Sequence, residues 1–77
     1  MRQSLIVWDP EILNGEPIIK GTRVSVALVL QCFASGMTRE DILRDYPTIT
    51  REGIDAALDF AARQFQGEEV RVFRARP

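Results

Sequence analysis

The sequence predicts a mainly α fold, a three-helix helix-turn-helix core with a short N-terminal β-ribbon and an extended C-terminal tail. Three observations predict it. First, Ser25, Thr38 and Thr50 are each preceded by an apolar residue and followed four positions later by another, in Val24-Ser25 with Val29, Met37-Thr38 with Ile42, and Ile49-Thr50 with Ile54. That is an N-cap with its hydrophobic staple, repeated three times; the hydroxyl satisfies an orphan backbone N–H and the apolar pair sets the direction of the helix. Second, Gly36 and Tyr46-Pro47 supply helix stops between the caps. Third, a glycine-punctuated segment, Asn14 to Arg23, leads into the first cap.

The predicted elements follow in order: a strand around Leu5 to Trp8, a short strand at Pro17 to Ile19, helices near residues 26–35, 39–45 and 51–66, and a tail. Asn14-Gly15 offers the positive φ angles of a hairpin turn, and Pro17 marks the following strand as an edge. Thr38-Arg39-Glu40-Asp41 reads as a capping box with acids in the first turn, where the helix dipole favours negative charge. Gly67 reads as a helix stop, which divides the chain into a helix-turn-helix domain over 1–67 and a partner-binding tail over 68–77.

The chain has 77 residues, a formal charge of −1, one cysteine and no histidine. A chain of this length buries only about 60% of the surface exposed when unfolded, so its core is marginal and invites oligomerisation. A single Cys32 rules out an internal disulfide, and the common zinc ligand sets are missing without histidine. Neither a Ser-His nor a Cys-His pair can be assembled within one chain, so no catalytic residue, metal or cofactor is expected. Cys32 reads as a small core residue. Val26 to Ala34 carries only Gln31 as a polar residue and is apolar nearly all round, which asks for burial on more than one face. A second copy or a partner would complete that burial, and Ile18, Ile19, Leu28, Leu30 and Phe33 are the expected dimer contacts. The apolar run is too short to cross a bilayer and no leader pattern precedes it, so a cytoplasmic protein with no membrane role is expected.

Lys20-Gly21-Thr22-Arg23 places two cations beside a glycine, a composition suited to a phosphate or carboxylate. The structural alternative is that Arg23 pairs with Asp41 or Asp45 while Gly21 only turns the chain. Helix three carries the apolar stripe Ile54, Ala57, Leu58, Ala61, Ala62 and Phe65, expected to be core, with Ala56 and Phe60 on its flank either widening the core or forming a partner surface. Its outer face, Glu52, Asp55, Asp59 and Arg63, is mainly acidic and would repel a phosphate backbone. DNA contacts would therefore come from Thr48, Thr50 and Arg51, helped by Lys20, Arg23, Arg39 or Arg44. In the tail, β-branched residues alternate with arginines. Val70, Arg71, Val72, Phe73, Arg74 and Arg76 could add as a strand to a partner's sheet edge, or form an intramolecular wing strand.

Asp9 to Val24, Gly36 to Leu43 and Tyr46 to Thr50 strongly resemble the bacterial and archaeal domain-of-unknown-function family 433. The most specific piece is Gly-x-Pro-x-Ile-x-Gly-Thr-Arg-Val at Gly15 to Val24, with Tyr46-Pro47 at the expected distance. The resemblance implies a homeodomain-like or winged helix-turn-helix fold and, for many members, an antitoxin role beside a PIN-like ribonuclease toxin. On this chain it implies dimerisation through the ribbon and first helix, operator binding through Thr38 to Phe65, and toxin neutralisation through the tail. PIN-like active sites hold a metal in a ring of carboxylates, so an inserted Arg71, Arg74 or Arg76 could occupy that charge site. The expected function is a non-enzymatic antitoxin of a type II pair that also regulates its operon; the alternative is a stand-alone DNA-binding regulator or adaptor.

Overall fold

The computed structural model describes residues 5–65. Two short strands, β1 (Ile6–Val7) and β2 (Ile18–Ile19), pair antiparallel with Ile6 opposite Ile19 and Val7 opposite Ile18. Three helices follow: α1 (Val26–Ala34), α2 (Arg39–Asp45) and α3 (Arg51–Arg63). The tail, residues 68–77, lies outside the described residues, as do Gln66 and the expected stop at Gly67.

All three predicted caps form. Ser25 Oγ accepts from the Leu28 N–H at 2.9 Å, Thr38 Oγ1 from the Asp41 N–H at 3.1 Å, and Thr50 Oγ1 from the Gly53 N–H at 3.0 Å. At α2 the box is reciprocal, because the Thr38 N–H donates back to Asp41 Oδ2 at 2.9 Å. The staple residues supply much of the core: Val24, Val29, Ile42, Ile49 and Ile54 are buried, and Met37 packs against the same cluster. Gly36 closes α1 at φ +96°, and α2 stops at Asp45, immediately before Tyr46-Pro47. Helix α3 packs against α1, α2 and both strands. Gly53 allows this, since a Cβ there would sit 3.1 Å from Ile19 Cγ2.

The ribbon departs from expectation in two ways. Asn14-Gly15 is not a two-residue hairpin turn. It belongs to a 3-10 turn, Leu13–Gly15, inside a longer connection, with Leu13, Asn14 and Gly15 all at positive φ. Nor is β2 an edge strand. Its far side meets the returning chain, where Ile19 N–H donates to Val24 O at 2.9 Å, Val26 N–H to Pro17 O at 3.0 Å, and Ile18 bridges to Ser25. The tight turn that makes this possible is Ile19 to Thr22, closed by Thr22 N–H to Ile19 O at 3.0 Å with Gly21 at φ +82°. A glycine fits there because that φ is strained for any residue with a Cβ.

Helix three also differs at its end. Ile54, Ala56 and Ala57 are fully buried, Leu58 and Ala61 half-buried, but Ala62 is exposed and Phe65 is 60% exposed. Burial thus falls off along α3, from its buried second turn to its exposed end. Of the two flanking residues, Ala56 widens the core, while Phe60 meets Trp8 edge-to-face with ring centroids 5.6 Å apart.

Candidate functional site

Most of the expected DNA-contacting cations are occupied within the fold. Arg39, opening α2, binds Asp55 of α3; Arg51, opening α3, donates to Glu40 at 3.0 Å; Arg44 holds Asp41 at 2.9 Å and Asp45 at 3.6 Å. Thr50 spends its hydroxyl oxygen on the cap, whereas Thr48 is exposed in the preceding turn. Glu40 is held below the ordinary carboxylate range chiefly by its hydrogen bond from Arg51. Asp41 is held low first by the Thr38 backbone N–H and then by Arg44. From Arg39 to Arg63 there are six carboxylates against four arginines, so this face carries net negative charge.

Arg23 does not pair with Asp41 or Asp45, because Arg44 takes both. Among the described residues, Lys20 and Arg23 are the cations in no ion pair, and both are exposed. Arg23 and Thr48 line one open groove of about 780 Å³ together with Val7, Ile12, Ile18, Val24 and Leu28, while Lys20 does not reach it.

The expected dimer contacts are not gathered into one surface. Ile18 and Ile19 are 2% and 4% exposed, buried in their own chain, and with β2 flanked on both sides they offer no free strand edge. Leu28 and Phe33 are half-buried against the core; Leu30 is 39% exposed. Leu30 instead belongs to a second trough of about 650 Å³, between α1 and α3, with Trp8, Ala27, Phe60, Ala61 and Phe65. The sequence gives no sign of Trp8 and Phe65 as one surface, since Trp8 falls at the end of a predicted strand and Phe65 continues a stripe that reads as core. The expected toxin contacts Val70, Arg71, Val72, Phe73, Arg74 and Arg76 lie outside the described residues.

Cys32 is buried, and among the described residues no three His, Cys, Asp or Glu side chains gather as metal ligands. Among the same residues no helix is long and apolar enough to cross a membrane. Among the described residues the surface thus carries two open troughs, one lined mainly by apolar residues with Glu16, the other lined mainly by apolar residues with Arg23 and Asp9.

The model of a protein family of unknown function, DUF433, matches residues 6–61. An uncharacterised protein of Sinorhizobium fredii, y4eO, is 34% identical over 59 residues, covering 77% of this chain and 27% of that protein. The crystal structure of a DUF433 member from Anabaena variabilis superposes with a TM-score of 0.74 at 26% identity, over 79% of this chain and 60% of the other. This chain thus spans about a quarter of the first relative's length and 60% of the second's.

Proposed function

This chain belongs to the DUF433 family, and from that premise we propose that it is a non-catalytic binding protein, the antitoxin of a type II pair whose partner is a PIN-like ribonuclease. The observation that carries the binding role is the trough between α1 and α3. Of the four large exposed apolar residues among those described, Trp8, Leu30 and Phe65 line it. Contiguous exposed apolar surface on a small protein marks an interaction site. The surface adjoins Phe65, from which the chain runs on into the arginine-bearing sequence of residues 68–77. A homodimer fits the adjoining surface of α1, whose exposed residues Ala27, Leu30, Gln31 and Ala34 carry no charge, with Glu16 as the one charged residue of the trough.

The test is co-expression of the tagged chain with the protein encoded next door, followed by pull-down, sizing and a ribonuclease assay. A stable complex with suppressed nuclease activity, lost on deleting residues 68–77 while the helical domain still melts cooperatively, is the expected result. A truncated chain that still neutralises the nuclease would remove the tail from the reading. The rival, a DNA-binding regulator without a toxin, draws on exposed Thr48 and on Lys20 and Arg23; the carboxylates of α2 and α3 oppose it electrostatically. Binding to duplex DNA that weakens steeply with salt, with no protein partner, would favour the rival.

A further inference from the structure

Gly21-Thr22-Arg23-Val24 carries the chain from β2 into the first cap, and the fold accounts for three of its four residues. Gly21 takes φ +82° in the turn after β2. The Thr22 hydroxyl donates to Ile19 O at 2.7 Å and accepts from the Val24 N–H at 2.9 Å, bracing that turn from within. Val24 is 8% exposed in the core and its carbonyl closes the hairpin with Ile19. Arg23 alone does none of this: its side chain is exposed and in no ion pair among the described residues. The two acids best placed in sequence to receive it are both turned to Arg44.

Exposed Arg23 lines an open groove together with apolar Val7, Ile18 and Leu28 and with Thr48 of the α2–α3 turn. Asp9 also lines the groove, with Oδ1 accepting the Glu11 N–H at 2.9 Å and in no ion pair among the described residues. We infer that this groove docks an extended segment of a protein partner in which a carboxylate stands beside an apolar side chain. The carboxylate would meet the Arg23 guanidinium and the apolar side chain would cover Val7 and Leu28. A guanidinium matches a carboxylate in two parallel hydrogen bonds, and an apolar lining excludes the water that would otherwise weaken the pair. With Arg23 as its one cation and Asp9 as its one acid, the groove has room for a single carboxylate, at Arg23; a nucleic-acid backbone asks for several cations in a row. The groove is open to solvent and not an enclosed cavity, which disfavours a small molecule as its occupant. The inference rests on the reading of this chain as a binding protein, and not on which protein it binds.

The test is a titration of the full ¹⁵N-labelled chain, free in solution, with three blocked tripeptides: acetyl-Leu-Glu-Leu-amide and its Gln and Lys counterparts. The expected result is saturable amide shifts at Thr22 to Val24, Leu28 and Thr48 with the Glu peptide, and binding several-fold weaker with the Gln peptide. Arg23→Glu, an exposed change that should leave the melting curve in place, should lose the Glu peptide and gain the Lys peptide. Equal responses to Glu and Gln, no response to any peptide, or shifts centred on Trp8, Leu30 and Phe65 would each overturn the inference. So would a stronger response of Arg23 to a short DNA duplex. Because no toxin enters the measurement, failure here is separable from failure of the co-expression test.

Discussion

Arg51, the first residue of α3, donates to Glu40 in the first turn of α2 at 3.0 Å, so the leading cation of the would-be reading helix is already bound by its neighbour. The Arg39 contact to Asp55 does the same from the other helix. Glu40→Gln should release Arg51 without disturbing the core. If this end of the molecule meets phosphate, fluorescence anisotropy on an arbitrary duplex at low salt should show tighter binding by the variant, with a salt slope steeper by about one. Identical curves for the two proteins would show that Arg51 is not at a DNA surface.

The reciprocal bonds between Thr38 and Asp41 make the start of α2 the natural place to look for acid sensitivity. Both Glu40 and Asp41 are lowered in the folded chain, so folding favours their ionised forms. The resulting stabilisation is fully present above the unfolded-state values, at neutral pH, and is lost as pH falls through about 4.5 toward the lowered folded values. Urea midpoints should therefore fall between neutral and acid pH, and less so in Asp41→Asn. Thr38→Ala, which removes the cap acceptor itself, should cost about 1 kcal/mol at pH 7.

Leu13 sits at φ +51° with its side chain 45% exposed. A bulky residue in the left-handed region costs roughly 1 to 2 kcal/mol, and here the exposed side chain recovers little of it. Leu13→Gly should accordingly raise stability by up to about 1 kcal/mol, read from the shift in melting temperature. A loss of stability would mean that Leu13 makes contacts that outweigh its backbone strain.

The helices were legible because their instructions are local. A cap hydroxyl, a staple pair and a stop residue all act within one turn, and Ser25, Thr38, Thr50, Gly36 and Pro47 each did in the fold what their chemistry suggests. The ribbon was harder because two glycine signals competed for one hairpin. Asn14-Gly15 fits the usual two-residue hairpin pattern, but the tight turn formed at Gly21, where Thr22 could brace it. That placed Val24 to Val26 against β2 and buried Ile18 and Ile19. The partner of Arg23 was not readable either, since Arg44 competes for both acids and lies closer to them on the same helix and at its end. At the site, the trough of Trp8, Leu30 and Phe65 depends on where burial falls off along α3, a tertiary fact with no local signature.

Gly53 tests how tightly α3 sits on the ribbon. In an exposed helix Gly→Ala would stabilise by about 1 kcal/mol. Here the new Cβ would lie 3.1 Å from Ile19 Cγ2, closer than ordinary packing, so Gly53→Ala should show no gain and a lowered melting temperature.

Leu30 separates folding from association. An aspartate in the middle of a fully buried helix would unfold so small a domain, because an unpaired buried charge is costly. Leu30, however, is 39% exposed and lines the trough, so Leu30→Asp should leave a cooperative transition displaced by about 2 kcal/mol, from lost partial burial and the poorer helix propensity of aspartate. Its effect should appear instead in light scattering, as a monomer where the parent chain sizes as a dimer, and in the pull-down as a weakened complex. An unchanged dimer with an unchanged melting curve would take the α1–α3 trough out of the interface. A chain that fails to fold would show that Leu30 belongs to the core after all.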